Sequence, residues 1–280
     1  MSGTLTWSIV IPVKVLAKGK SRLAGLAGRS RPALALAVAA DTIRAALACA
    51  DVSVVTVVTD DPVAAAEFGQ LGADVIGDDP AAGLNPALVH GASLVARRHP
   101  QAGIAALSGD LPALKPAELG RALRAAARWP EAFVPDASGT GTTLYTTRPT
   151  VAFRPRFGPG SRLRHLQAGA HELARRDVPG LRRDVDTPAD LSEAAVLGLG
   201  PRTTALAASL LGHGPGSQGA TGPGGDHRGD EVADPDQHRG GGLVGGGDGE
   251  LDPGLPADLG EDPRAGPGSR PRRRGTRREP

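Results

Sequence analysis

The residues best suited to chemistry in this chain lie in a few short, polar segments set between apolar runs. In AALSGDLPALKP (105–116) an apolar run ends at Ser108-Gly109-Asp110 and is stopped by Leu111-Pro112. A carboxylate at the carboxyl end of a buried strand stands at the mouth of an α/β sheet, where such folds bind ligands, and is a hard donor suited to magnesium. The alternative role for Asp110 is to open the turn before Pro112. A second segment, KVLAKGKSRLAGLAGRSR, follows the first apolar run. The chain has only four lysines, and Lys14, Lys18 and Lys20 fall in this loop, with Arg22 close behind and Lys115 elsewhere. A glycine-containing loop that gathers cations between a strand and a helix suits a triphosphate, because backbone amides and ammonium groups share its charge. No Walker A pattern is present, and a merely solvated basic loop is the competing reading.

Three further segments carry small residues beside polar ones. Gly83-Leu84-Asn85 precedes a helical pattern, so Asn85 reads as an N-cap with Pro86 at the first helical position. Its alternative use is to read a base or ribose edge, with Gly83 letting the backbone come close. GTGTTLY (139–145) and RFGPGSRLRH (156–165) join glycines to the hydroxyls of Thr142, Thr143 and Ser161, with Arg162 and Arg164 nearby. That chemistry suits a small phosphorylated acid. The GTG is no dinucleotide fingerprint, since it neither follows the first strand nor opens a helix. His165 reads as structural. Last, DVDTPADL (184–191) sets Asp184 and Asp186 ahead of a helix whose N-cap is Thr187 and whose first residue is Pro188. Asp186 is placed to complete a magnesium site with Asp110.

The elements that must position these residues follow from periodicity. Apolar, β-branched runs at 6–13, 53–61, 73–79 and 103–110 read as buried strands. Helical spacing covers about 32–49, 62–71, 85–98 and 116–128. That alternation of strand and helix predicts an α/β fold: a mainly parallel sheet flanked by helices. AFVPDASGTGTTLYTT then predicts two strands around a glycine-rich turn, as an insertion or sheet edge. Helices are expected over 160–176, from Pro188, and over about 201–211.

Composition bounds the rest. Residues 212–280 hold 20 of the 40 glycines and 9 of the 25 prolines and no aromatic residue, which predicts a disordered tail after one domain spanning 1–211. Residues 1–211 carry 23 Lys+Arg against 18 Asp+Glu. This mild excess favours anionic ligands but is too small for a dedicated nucleic-acid binder. A single cysteine, Cys49, excludes an internal disulfide and a cysteine-based zinc site. No long apolar run or signal pattern appears, so a cytoplasmic location is expected, with no membrane partner.

Taken in order, IPVKVLAKGKSRL, GLNPAL, LSGDLPAL, GTGTTL, FGPGS and DVDTPADL resemble the 2-phospho-L-lactate / phosphoenolpyruvate guanylyltransferases of deazaflavin coenzyme F-420 biosynthesis. The resemblance spans about 6–200, and GTGTT followed by FGPGS is its most specific part. It implies a nucleotidyltransferase fold of the GT-A-like, Rossmann-like kind. It also implies transfer of GMP from GTP to phosphoenolpyruvate or 2-phospholactate, with Mg²⁺ and a product handed to the next enzyme. By position, Lys14, Lys20 and Arg22 would face the triphosphate, and Gly83 and Asn85 the guanosine. Asp110 and Asp186 would hold magnesium, and Thr143, Gly158 and Ser161 the phosphorylated acid. Lys14, Lys20, Arg22 and Asp110 would thus be the catalytic set. A molybdenum-cofactor or sugar-phosphate nucleotidyltransferase should instead carry a glycine-rich L-x-G-G-x-S-x-R first loop, which is absent. A nucleotide-binding module without turnover is the non-enzymatic alternative, and the oligomeric state stays open between monomer and homodimer.

Overall fold

WSIVIP is apolar at nearly every position, the composition of a strand covered on both faces. It forms β1 (Trp7–Pro12), an interior strand of a seven-stranded sheet in the computed structural model, which describes residues 5–14, 28–79 and 81–212. In chain order there follow α1 (Arg31–Leu47), β2 (Val52–Val58), α2 (Pro62–Gln70), β3 (Asp74–Ile76), α3 (Leu84–Arg98), β4 (Gly103–Leu107) and α4 (Pro116–Ala126). Then come β5 (Glu131–Pro135), β6 (Thr142–Thr147), α5 (Ser161–Gln167), β7 (His171–Glu172), α6 (Pro179–Arg182), α7 (Pro188–Leu197) and α8 (Pro201–Gly212). Lys18, Lys20, Arg22 and the tail from 213 onward lie outside the described residues.

The strand order is β3-β2-β1-β4-β6-β5-β7. β1 pairs in parallel with both β2 and β4, whereas β6 runs antiparallel between β4 and β5. The sheet is therefore mixed, with the expected parallel half and the glycine-turn hairpin inserted beside β4. Registers such as Leu107↔Leu144 and Pro135↔Thr142 bring three carboxyl ends (β1, β4, β5) and the amino end of β6 to one rim. The chain departs from β1 toward β2 on one side and reaches β4 on the other. The crevice between β1 and β4 is thus the topological switch point, where α/β sheets bind ligands.

Both faces of the sheet are dry. Ile9 and Ile11 pack with Ile43 of α1, Phe68 of α2 and Leu119 and Leu123 of α4. On the opposite face Val10 and Val58 meet Leu88, Ala92 and Val95 of α3. α3 lies close because Gly91 has no side chain: a Cβ there would stand 2.8 Å from Val10 Cγ1 and 2.9 Å from Val58 Cγ2. A third cluster joins Leu34 and Val38 of α1 to Val185, Leu191 and Ala194. Among the described residues no helix is long and apolar enough to cross a membrane.

Three local expectations need correction. α3 begins at Leu84 with Gly83 as its cap, so Asn85 is not the N-cap and Pro86 sits within the first turn, where its missing N–H has no partner to lose. The helix expected over 160–176 stops at Gln167, because Gly169 turns the chain at φ 89 and His171–Glu172 then pairs with β5. The short helix α6 was not visible in the periodicity. It is held by Glu118, whose buried carboxylate accepts from Leu181 N–H at 2.9 Å, and burial pushes that carboxyl upward.

α8 is fastened by a residue far away in sequence. Asp41, buried in α1, accepts from Arg202 N–H at 3.2 Å and Thr203 N–H at 2.7 Å, so it caps a helix 160 positions downstream in place of a local residue. A side chain on Gly200 would collide with Asp41. Replacing Asp41 by Ala should lower stability by about 1–2 kcal/mol, the cost of a lost helix cap. A urea-unfolding midpoint unchanged from that of the wild type would show that this cap does not anchor α8.

Candidate active site

The rim where the strand ends converge opens into a cleft of about 740 Å³. Its floor is the end of β1 (Pro12, Val13, Lys14) beside the end of β4 (Leu107, Ser108, Gly109, Asp110). Gly109 is needed there, since a Cβ would press at 3.2 Å on both Ile11 Cγ2 and the Pro12 carbonyl. One wall is apolar, made of Ala35 and Ala39 of α1, Leu84 and Leu88 of α3, and Phe157. The other wall carries Asp136, Thr140, Gly141, Thr142 and the loop Gly158–Ser161.

Two acidic segments meet at one end. Val185 N–H donates to the Asp110 carbonyl at 3.1 Å, which stitches the DVD segment to the SGD loop. Val185 is buried, and its two neighbours face the cleft by the alternation of an extended chain, Asp184 half-buried and Asp186 exposed. Asp184 titrates far above the usual carboxylate range, at about 7, first through burial and then through the negative charges of Asp110, Asp136 and Asp186. The helix that follows is fixed by a capping box. Asp190 accepts from Thr187 N–H at 2.8 Å, and Thr187 Oγ1 accepts from Asp190 N–H at 3.2 Å. The donor set is hard oxygen under mutual repulsion, and that is chemistry a divalent cation would relieve. Among the described residues no three His, Cys, Asp or Glu side chains are grouped tightly enough to hold a metal alone.

The polar wall is built from two tied loops. Asp136, at the end of β5, accepts from Thr140 N–H (2.9 Å), Gly141 N–H (2.8 Å) and Ser138 Oγ (2.9 Å), and so shapes the GTG turn. Gly141 cannot carry a side chain without striking that carboxylate. Arg182 donates to the carbonyls of Pro135 (3.1 Å) and Asp136 (2.8 Å), and Arg162 donates to Gly139 O at 3.2 Å while pairing with Glu172. The second loop, 156–160, has two left-handed glycines, Gly158 (φ 115) and Gly160 (φ 68). It is held by Asn85, whose Nδ2 donates to Phe157 O (3.1 Å) and whose Oδ1 accepts from Phe157 N–H (2.8 Å).

His165 lies beneath both loops with no exposed surface. Its Nε2 accepts from Arg156 N–H at 3.0 Å, so the ring proton sits on Nδ1, 3.0 Å from Thr142 Oγ1. Tyr145 stacks on it with ring centres 4.8 Å apart. Its pKa is pushed down to about 4, first by burial and then by the charges of Arg156 and Arg164. With both nitrogens engaged and the ring neutral, it is a scaffold.

Of the residues singled out from the sequence, Lys14, Asp110, Asp186, Gly158 and Ser161 all line this cleft. Gly83 and Asn85 stand at the head of α3 beside it, outside the lining. Thr143 is fully buried below the rim, while its neighbour Thr142 faces the cleft. Lys20 and Arg22 lie outside the described residues. Asp136 was missed, although Pro135-Asp136 with Ser138-Gly139 close behind is a turn signal. The place of Asp184 in the carboxylate group was missed as well, although its spacing of two from Asp186 puts both on one face of an extended segment.

Compared with known proteins, residues 7–210 match the family described as guanylyl transferase CofC like. The phosphoenolpyruvate guanylyltransferase of Thermomonospora curvata is 61% identical over 218 residues, covering 78% of this chain and 96% of that protein. The protein of the same name from Streptomyces coelicolor is 53% identical over 208 residues, covering 74% of this chain and 98% of the relative. Among solved structures, a 4-diphosphocytidyl-2C-methyl-D-erythritol synthase from Anaerococcus prevotii is similar with a TM-score of 0.48 and 9% identity, covering 69% of this chain and 96% of that one.

The His165 geometry sets a pH dependence. A ring that holds its proton less tightly folded than unfolded leaves stability intact above pH ~6.5 and erodes it as the pH falls toward 4. The full loss below that window is about 3 kcal/mol for a shift of this size. His165→Gln cannot titrate and should flatten that part of the stability profile. Equal slopes for variant and wild type between pH 6.5 and 4 would remove His165 as the cause.

Proposed function

The chain belongs to the CofC-like guanylyl transferase family, and from that premise we propose that it transfers GMP from GTP to phosphoenolpyruvate. The products are enolpyruvoyl-2-diphospho-5'-guanosine and pyrophosphate, and the reaction serves coenzyme F-420 biosynthesis. The observation that carries the reading is one cleft lined both by acidic segments and by hydroxyl-bearing glycine loops. Phosphoenolpyruvate is preferred to 2-phospholactate because relatives at 61% and 53% identity bear that substrate in their names.

In this reading the acceptor's phosphate oxygen attacks the α-phosphorus of GTP in line. A P–O bond forms as the α–β bridging P–O bond breaks, and pyrophosphate carries away the electron pair. A phosphate monoester is already ionised near pH 7, so no general base is required, in keeping with a neutral, buried His165. Lys14, Lys20 and Arg22 are assigned to the triphosphate, and Gly83 with the apolar wall of Leu84 and Leu88 to the guanosine side. Gly158 and Ser161 hold the acid, with Thr143 supporting from below and Thr142 at the surface. Asp110 and Asp186 are assigned to Mg²⁺, which would neutralise charge on the triphosphate and on the leaving pyrophosphate. Asp184 lies between those two carboxylates in charge as well as in sequence, and its raised affinity for a proton is what a nearby divalent ion would reverse. Catalysis then rests on alignment and charge stabilisation.

Pyrophosphate release by the full-length protein should require GTP, phosphoenolpyruvate and Mg²⁺ together, and should fail with CTP or ATP. Asp110→Asn should lower turnover by ~10²–10³-fold with an unchanged unfolding midpoint, a loss typical of removing one transition-state stabilising group. Near-normal turnover would sink the metal assignment. Ser161→Ala should raise the KM for phosphoenolpyruvate more than that for GTP, and equal rises would argue against the acceptor site.

A further inference from the structure

We propose that Asn85 is a positioning residue for the acceptor loop, tying residues 156–161 to the helix on the nucleotide side. The inference rests on the guanylyl-transfer reading for its substrates and on geometry for the tie itself. Asn85 and Phe157 form a reciprocal pair: Nδ2 donates to the Phe157 carbonyl at 3.1 Å, and the Phe157 amide donates to Oδ1 at 2.8 Å. One side chain thus satisfies both backbone groups of a residue 72 positions away. An amide side chain offers two N–H donors and two oxygen lone pairs, and one of each is spent on Phe157.

The other ties on this loop are local. Arg164 donates to Arg156 O at 3.3 Å and 3.1 Å and to Phe157 O at 3.2 Å, and it also reaches Pro159 O. His165 accepts from Arg156 N–H. Both residues belong to α5, directly after the loop, and His165 ties that helix to β6 through Thr142 Oγ1 and its stack on Tyr145, so they hold the loop to the antiparallel half of the sheet and not to α3. Among the described residues Asn85 supplies the hydrogen bonds that cross from α3, whose seat is set by the close approach of Gly91 to Val10 and Val58. Left-handed Gly158 and Gly160 give the loop other conformations to visit once that tie is cut. Gly158 and Ser161 of the loop line the acceptor side, while Phe157 joins Leu84 and Leu88 of α3 in the apolar wall on the nucleotide side. Asn85 therefore ties the acceptor loop to the helix that carries the nucleotide wall, and a small misplacement of a positioned reactant is costly.

The test compares wild type, Asn85→Ala and Asn85→Asp as full-length proteins. Asn85→Ala should raise the KM for phosphoenolpyruvate about tenfold, as expected for two lost hydrogen bonds. The KM for GTP should change less than about twofold, with the preference for GTP over ATP intact, since uniform binding to the nucleotide is untouched. Asn85→Asp, which sets a carboxylate oxygen against the Phe157 carbonyl, should be at least as impaired toward the acceptor. A loss of GTP preference, or equal rises in both KM values, would overturn the proposal by making Asn85 a base reader or a general stability residue. Amide hydrogen exchange in the substrate-free protein reads the tie without any reaction. Exchange across 153–166 should quicken in Asn85→Ala, and unchanged exchange would overturn the proposal even were the acceptor not phosphoenolpyruvate. Should the Ala variant not fold, Asn85→Gln, which displaces the amide by one methylene, gives the same readouts. Wild-type failure to release pyrophosphate with phosphoenolpyruvate, alongside quickened exchange in the variant, would count against the acceptor assignment and in favour of the tie.

Discussion

The hydrogen bond from Val185 N–H to the Asp110 carbonyl joins two acidic segments that repel each other. Asp110, Asp136, Asp184 and Asp186 all face one cleft, and Asp184 is pushed upward first by burial and then by the charges of the other three. Backbone pairing can impose such a meeting because the segments are anchored behind the cleft. Val185 is buried with Leu34, Val38 and Leu191. Glu118 holds α6 just before the DVD segment, and the Thr187–Asp190 box fixes α7 just after it. Apolar burial thus supplies the free energy that keeps like charges close, an arrangement common where ionisable groups have a task beyond stability.

The acceptor end follows a different logic. There the polar groups are satisfied internally, so the loops keep their shape before any ligand arrives. Asp136 is consumed by three donors of its own turn, Arg182 by two carbonyls, and His165 by the Arg156 amide and the Thr142 hydroxyl. A neutral His165 is part of that economy. A charged ring would need Nε2 to donate, which would leave the Arg156 amide facing another donor. Preorganised loops and clustered carboxylates thus share one cleft, and Asp136 belongs to both.

The parallel half of the fold was legible because its strands are buried on both faces and so read as unbroken apolar runs: WSIVIP, VSVVTVV and GIAAL. The carboxylate of SGD was legible because it falls where such a run ends, and those of DVD because they precede the Thr187-Pro188 helix start. What stayed hidden depends on partners distant in sequence. Asn85 has the local look of an N-cap, yet its amide goes to Phe157 and leaves the cap to Gly83. The 160–176 pattern is helical in residue type, but Gly169 turns the chain and His171 stacks on Trp129 with ring centres 3.5 Å apart. Propensity is a local quantity, and at these positions tertiary contacts outweigh it.

Charge balance within the cleft constrains the chemistry further. Among the described residues that line it, Lys14 is the single cation against four aspartates. Two substrates that are themselves anionic, a nucleoside triphosphate and a phosphorylated acid, would meet strong repulsion there at any plausible effective dielectric. Binding therefore demands positive charge beyond Lys14. In the proposed reading a divalent ion on the carboxylates would supply part of it, and Lys18, Lys20 and Arg22, which follow β1 in sequence, are the next cations in the chain to supply the rest. The excess of aspartate is thus an argument for cation-dependent turnover: an ion on the carboxylates would make the cleft more receptive to polyphosphate, so that nucleotide and metal would bind as linked ligands.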